Sequence, residues 1–195
     1  VVLQNSLTLD LTGNSISGLD LATGTPELHV LRAGQNKIDT LKLENAVKLQ
    51  EVEVPGNDLT FLRQQVINLV NLRVLDISNN PQFSEHELLN WALLEDPSRK
   101  LRVLRASSCA FTSLPTIRAR NLEVLDISDN QVCAPPEMSN SLSCVKKDAA
   151  ACRREDEQEI PADLFFREFN LARNPMVGSV PHSWRHAEFV SLDLT

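Results

Sequence analysis

Short apolar segments recur along this chain at nearly constant spacing, and this recurrence constrains the fold more than any other feature. The clearest copy is residues 122–132, where the apolar residues Leu122, Leu125 and Ile127 precede Asn130. Apolar residues at alternating positions place their side chains on one face of a short strand. One such unit cannot bury its apolar face alone, so we expect the copies to stack on one another.

The same position in each copy carries an asparagine or, in one copy, a cysteine. A sharp turn after each strand leaves backbone N–H and C=O groups in an apolar interior, and an asparagine amide can bond to both kinds of group. We call these positions the Asn ladder, and they are Asn14, Asn36, Asn57, Asn80, Cys109, Asn130 and Asn174. Their steps are 22, 21, 23, 29, 21 and 44 residues by subtraction.

The whole pattern resembles the leucine-rich repeat, whose period is about 20–29 residues. The resemblance implies an α/β fold: a right-handed solenoid with a parallel β-sheet on its concave face and loops and short helices on its convex face. It covers nearly the whole chain, so we expect residues 1–195 to form one domain of about seven or eight repeats. The last complete unit, residues 174–181, resembles the plant-type repeat of cell-surface and secreted proteins.

The segments that return the chain from one strand to the next differ in their predicted structure. Residues 17–27 contain two glycines and a proline and are predicted to be irregular. Residues 39–48 are predicted to be a loop or a single helical turn. Helical spacing of apolar residues predicts helices over residues 60–71 and 84–95, and the second begins with a capping box.

Three of the four cysteines lie in residues 133–165, which we interpret as an irregular insert of loop and helix. The alternative is a hidden degenerate repeat, because the step of 44 equals two units of 22. In an oxidising compartment, two of Cys133, Cys144 and Cys152 would form a disulfide, and the sequence does not choose the pair. Cys109 is predicted to be a buried structural thiol. The cysteine spacing disfavours zinc.

Two rows of outward-facing residues on the predicted sheet are the candidate binding surface. The residue between the second and third apolar anchors is charged or polar in every copy. We call these residues the charged row: Asp10, Arg32, Glu53, Asp76, Arg105, Asp126, Asn170 and Asp193. Two residues earlier in each copy lies the valine row: Thr8, Val30, Glu51, Val74, Val103, Val124, Glu168 and Ser191.

The charged row permits two interpretations. Alternating charges predict a ladder of cross-strand ion pairs, each worth about 0.2–1 kcal/mol. The alternative is a polar strip that binds a partner, and the like charges of Glu53 and Asp76 would suit a basic partner group. In the valine row, Val74, Val103 and Val124 predict an exposed apolar stripe with a charged border, as in protein interfaces. The predicted partner-binding residues are Arg32, Glu53, Val74, Asp76, Val103, Arg105, Val124 and Asp126.

Composition and missing motifs disfavour several classes of function. A formal net charge of −7 disfavours nucleic-acid binding, which needs a basic groove. The sequence has no stretch of about 20 apolar residues, so we expect no membrane insertion within this segment. The sequence has no nucleophile elbow, phosphate loop or glycine-rich nucleotide motif. We therefore expect that the chain is not an enzyme and uses no cofactor or metal ion.

A stacked array offers a broad surface without a deep cleft, so we expect a protein or peptide ligand. The leading interpretation is the ligand-binding ectodomain of an extracellular or cell-surface receptor or a secreted protein. One alternative is an intracellular, cytoplasmic scaffold that docks a partner enzyme. Another is the recognition segment of a larger receptor kinase or enzyme. The sequence starts and stops within repeats, so we expect it to be part of a longer polypeptide.

Overall fold

The computed structural model describes residues 7–62, 66, 68–83, 94, 96–112, 117–132, 165–175 and 187–195, and the structural statements below concern those residues. Their secondary structure is a series of very short strands. The strands are β1 (Thr8–Asp10), β2 (Gly18–Asp20), β3 (Val30–Arg32), β4 (Thr40–Lys42), β5 (Glu51–Glu53), β6 (Val74–Asp76), β7 (Val103–Arg105), β8 (Val124–Asp126), β9 (Phe165–Phe166), β10 (Glu168–Asn170), β11 (Glu188–Phe189) and β12 (Leu192–Asp193).

One strand from each copy enters a single parallel sheet. Its eight strands lie in the order β1-β3-β5-β6-β7-β8-β10-β12. The register aligns the predicted anchors: Leu75 pairs with Val52 on one side and Leu104 on the other, and Leu104 pairs with Leu125. The predicted stack of parallel strands, with one apolar anchor above the next, is therefore confirmed.

The sheet covers a continuous apolar core. The central residue of each inner strand is buried, with exposed fractions of 0 % at Leu31, Val52 and Leu125. Towards the C-terminal end, aromatic rings replace aliphatic anchors. The rings of Phe166 and Phe169 meet edge to face, with their centroids 4.9 Å apart. The core therefore runs through the stack from turn to turn, as expected when each unit buries its neighbour's apolar face.

The return segments near the N-terminus contain two strands. The prediction of irregular structure over 17–27 is therefore wrong at Gly18–Asp20, and that of a loop or helical turn over 39–48 is wrong at Thr40–Lys42. Strands β2 and β4 pair in parallel and form a second, two-stranded sheet. Leu19 and Leu41 are register partners, and Leu41 is buried. Each turn provides hydrogen-bond partners for the backbone of the next turn, so a strand of only three residues can form.

Little of the predicted helical structure falls within the described residues. In residues 60–71, the N–H of Val66 donates a 3.2 Å hydrogen bond to the carbonyl of Leu62, as in one helical turn. The predicted helix over 84–95 lies outside the described residues except at Leu94, which is buried. The predicted insert over 133–165 also lies outside them, except for Phe165, which begins β9. Within the described part, no helix is long and apolar enough to cross a bilayer.

Candidate functional site

The turns that end the strands hold the sheet in register. In the Asn ladder, the Asn80 Nδ2 donates to the carbonyls of Val54 and Ile77 at 3.2 and 2.8 Å, and its Oδ1 accepts from the N–H of Leu59 at 3.0 Å. Val54 and Leu59 belong to the preceding turn, so one amide joins two turns. Asn36, Asn57, Asn130 and Asn174 repeat this arrangement.

Cys109 takes the asparagine position in its turn. Its thiol donates to the carbonyl of Ile77 at 3.3 Å, and the residue is 8 % exposed. Burial raises the pKa of the Cys109 thiol to about 11, so the group stays protonated at neutral pH. It is a free cysteine. The predicted disulfide among Cys133, Cys144 and Cys152 concerns residues that lie outside the described part of the chain.

The residue before each ladder position adopts a left-handed backbone conformation, which we did not predict from the sequence. Its φ lies between 52° and 72° in every described turn. These residues are Gly13, Gln35, Gly56, Asn79, Ser108, Asp129 and Arg173. The left-handed residue turns the chain so that the next side chain points into the core. A sequence signal existed, because glycine, asparagine and aspartate, which tolerate this conformation, occupy four of these positions.

The carboxylates of the charged row bond mainly to their own turns. The Asp76 Oδ1 accepts from the N–H of Ser78 at 3.0 Å, and the Asp126 Oδ1 accepts from the N–H and the hydroxyl of Ser128 at 3.0 and 2.7 Å. Within the described part of the chain, no ion pair joins Arg105 to Asp76 or Asp126. The predicted ion-pair ladder is therefore wrong at these three residues, because a backbone N–H two residues away already holds each carboxylate.

The predicted cross-strand ion pairing of the charged row is confirmed between Arg32 and Glu53. Its Nη2 lies 3.3 Å from Glu51 Oε2, and its Nε lies 3.4 Å from Glu53 Oε1. One guanidinium group therefore serves two carboxylates. Glu51 was absent from the predicted binding set, although its place in the valine row, beside Arg32, was visible in the sequence.

The row ends also carry charge at neutral pH. A hydrogen bond from the backbone N–H of Thr12 lowers the pKa of Asp10, and a hydrogen bond from the N–H of Thr195 lowers the pKa of Asp193. Asp10 is exposed and Asp193 is half-buried. These hydrogen bonds favour the ionised form, so each carboxylate remains charged well below neutral pH.

The valine row is less exposed than its sequence suggests. Val74 and Val103 are half-buried, whereas Val124 has an exposed fraction of 0 %. The prediction that all three valines form an exposed stripe is therefore wrong at Val124. Its register partners, Val103 on β7 and Glu168 on β10, flank it on both sides. At the strand spacing of about 4.8 Å, neighbouring side chains crowd a residue in this position.

The exposed parts of both rows lie side by side on the open face of the sheet. We call this surface the concave strip, and it comprises Arg32, Glu51, Glu53, Val74, Asp76, Val103, Arg105 and Asp126. All eight residues are half-buried, so each backbone is fixed and each side chain reaches solvent. No group of three or more metal-ligating side chains with suitable geometry occurs among the described residues.

Comparison with solved structures and sequence families agrees with this geometry. A leucine-rich-repeat protein of Leptospira interrogans superimposes on 95% of this chain with a TM-score of 0.67 and 19% identity, a match that concerns the fold. A family model described as "Leucine Rich repeat" matches residues 118–132, which include the copy that ends in Asn130. The chain has the fold of a leucine-rich-repeat solenoid.

The tubulin-specific chaperone E of Xenopus laevis is a curated relative of this chain. The two sequences are 32% identical over 123 residues, which is 59% of this chain. This chain spans only 23% of the chaperone and 44% of the Leptospira protein. The likeness therefore concerns a segment of each larger protein.

Proposed function

We propose that this leucine-rich-repeat solenoid is a protein–protein recognition module that binds a protein or peptide on the concave strip. The observation that supports the proposal is the arrangement of eight strands in one continuous register. Their outward side chains form a rigid, two-row surface, while the backbone groups are satisfied between turns. A surface of this kind binds with little loss of conformational freedom, which favours affinity.

Comparative capture from the organism's own cell extract tests this proposal. The bait is the intact chain, and the key variant is Val103→Lys, which places a positive charge at the centre of the concave strip. Val47→Lys is the matched control, because Val47 is 47% exposed and lies in a return segment away from both rows. Circular dichroism verifies that both variants fold. Partners that depend on the concave strip are lost with Val103→Lys and retained with Val47→Lys, whereas equal capture by both variants contradicts the proposal.

The cellular context is a second part of the proposal. Similarity to a tubulin-specific chaperone favours an intracellular scaffold. The plant-type unit at 174–181 and the cysteines of residues 133–165 favour an ectodomain instead. The two contexts differ in their thiols, because disulfides persist in oxidising compartments and are rare in the cytosol.

Thiol counting on protein taken directly from its cells separates these contexts. Rapid alkylation followed by mass spectrometry gives the number of free thiols among the four cysteines. Four alkylated cysteines support the intracellular scaffold, whereas a disulfide among Cys133, Cys144 and Cys152 supports the ectodomain.

A further inference from the structure

The net charge of the protein is concentrated on one face. The charged and valine rows together carry seven carboxylates and two guanidinium groups, which gives a formal charge of −5 out of −7 for the whole chain. The carboxylates belong to Asp10, Glu51, Glu53, Asp76, Asp126, Glu168 and Asp193. The rest of the chain therefore carries a formal charge of only −2 out of −7. Electrostatic attraction of a charged ligand comes mainly from this face.

The charge within the strip is only partly compensated. Arg32 lies between Glu51 and Glu53, so one positive charge faces two negative charges. Asp76 follows directly in the next strand and pairs in register with Glu53. One oxygen of Asp76 accepts from Ser78, and that hydrogen bond fixes the side chain without neutralising its charge. Arg105 is the register partner of Asp76 on β7, and no ion pair joins these two residues in the described part of the chain. The middle of the strip therefore presents a fixed negative charge that is only partly compensated.

Apolar surface lies directly beside these carboxylates. Val74 precedes Asp76 by two residues on β6, so the two side chains project from the same face of the strand. Val103, half-buried, continues the apolar surface on the next strand. Lysine and arginine side chains combine an aliphatic stem with a charged end, and they cover apolar surface while the charge stays at its edge. This chemistry matches a valine next to an aspartate.

We infer that the concave strip binds a lysine- or arginine-rich extended segment of a partner protein, running across the strands. Each basic stem packs on the valine row, and each charged end meets the charged row. This inference rests on the proposed function and specifies its ligand. Nucleic acids and anionic membranes are disfavoured, because their phosphates would be repelled by the same carboxylates.

The strand spacing sets the spacing of the basic residues. Asp76 and Asp126 are separated by two strand steps, about 9.6 Å at about 4.8 Å per step. An extended peptide in the polyproline II conformation advances about 3.1 Å per residue with three residues per turn, so side chains three residues apart point the same way and lie about 9.3 Å apart. A basic residue at every third position of the partner segment therefore places one charge near each of these two aspartates.

The test uses a fluorescein-labelled synthetic peptide of twelve residues with lysine at every third position and serine or alanine elsewhere. Its binding to the intact chain is followed by fluorescence anisotropy at increasing salt. A second peptide carries glutamate in place of each lysine. We expect the lysine peptide to bind at low salt, with affinity falling about tenfold or more at high salt because the contacts are ionic. The glutamate peptide is expected not to bind.

Charge-neutralising variants locate the contact. The double variant Glu53→Gln and Asp76→Asn removes two charges from the strip, and the new side chains retain oxygens for the hydrogen bonds with Arg32 and Ser78. Asp39→Asn with Asp58→Asn is the matched control, because both residues are exposed in return segments. We expect the strip variant to weaken lysine-peptide binding about fivefold and the control less than twofold.

Three results would overturn the inference: no binding of the lysine peptide, equal binding of the glutamate peptide, or equal weakening by both double variants. The proposed function is tested separately by capture with Val103→Lys. If that variant loses partners while the lysine peptide fails to bind, the recognition role stands and only the basic ligand is rejected.

Discussion

The side-chain nitrogen of Asn80 donates a 3.2 Å hydrogen bond to the carbonyl of Val54, which lies in the preceding turn of the solenoid. The same amide accepts from the N–H of Leu59 at 3.0 Å, and Asn80 is fully buried. Removing the amide would leave the N–H of Leu59 without a partner inside an apolar core. The carbonyls of Val54 and Ile77 would each lose one of their donors and keep another, from Asn57 and Cys109. The unpaired N–H costs about 1–3 kcal/mol, and the lost bonds to the two carbonyls add to that cost.

We therefore expect Asn80→Ala to lower the free energy of unfolding by about 2–4 kcal/mol, measured by urea unfolding followed by circular dichroism. Asn14→Ala is the control. The Asn14 amide donates within its own turn, to the carbonyls of Leu11 and Thr12, and the site is exposed. Its loss should cost less than about 1 kcal/mol. Equal losses in both variants would show that the link between turns contributes nothing.

The Cys109 thiol should react slowly in the folded protein. Burial raises its pKa to about 11 from 9.0, so the thiolate fraction at pH 8 falls about a hundredfold. Alkylation by iodoacetamide at pH 8, measured by mass spectrometry of the peptide that contains Cys109, should be at least that much slower in buffer than in urea. Similar alkylation rates in buffer and in urea would indicate that the folded protein exposes Cys109 to solvent.

The same thiol makes the free energy of unfolding depend on pH in the alkaline range. Its pKa is higher in the folded than in the unfolded state, so the folded state keeps its proton longer. The stabilisation is full below pH 9 and is lost as pH rises from about 9 to 11, with a total of about 3 kcal/mol. Urea unfolding at several pH values should show this loss for the wild type and not for Cys109→Ala. A parallel decline in both proteins would assign it to other groups.

The sequence was sufficient to predict the sheet because its determinants are local and repeated. Leu75, Leu104 and Leu125 occupy one position of the repeat, and any stack that buries them places them in register. The strands β2 and β4 were missed because three residues with one apolar centre carry almost no periodic signal. Their partners come from the next turn, which sequence spacing alone does not reveal.

The candidate site was predicted in its positions but less well in its contacts. Both rows follow from strand alternation, yet the burial of Val124 depends on how neighbouring side chains pack. The bonding of the aspartates was predictable in principle. Asp76 and Asp126 are each followed two residues later by a serine, a pattern typical of an aspartate that bonds its own turn. The ion-pair interpretation ignored this nearer partner.

Acid should destabilise the fold through aspartates whose pKa is lowered in the folded state. A side-chain hydrogen bond from Arg173 is the main cause that lowers the pKa of Asp129, and hydrogen bonds from Thr12 and Thr195 lower those of Asp10 and Asp193. A carboxyl group with a lowered folded pKa stabilises above its unfolded pKa and loses that effect as pH falls through the folded value. We expect unfolding free energy to fall below about pH 4, and Asp129→Asn to reduce the slope. An unchanged slope would show that this ion pair does not contribute.

Substitution of three glycines distinguishes the cost of backbone strain from the cost of steric crowding. Gly56 has φ of 66°, and a Cβ built there would lie 2.5 Å from Gln35 Nε2, whereas Gly13 has φ of 72° with no atom within 4 Å of its Cβ position. Gly18 has an ordinary backbone, and its nearest contact is the Thr40 carbonyl oxygen at 3.9 Å. Replacement by alanine should therefore affect the three sites differently.

We expect Gly18→Ala to change the free energy of unfolding by less than about 1 kcal/mol, in either direction. Gly13→Ala should cost about 1–2 kcal/mol from the left-handed backbone alone. Gly56→Ala should cost at least as much, because the Gln35 side chain must also move away from the new methyl group. The comparison is made by urea unfolding of all three variants. If Gly13→Ala and Gly18→Ala are equally stable, the left-handed turn carries no strain, and the repeated choice of glycine, asparagine or aspartate before the ladder needs another cause.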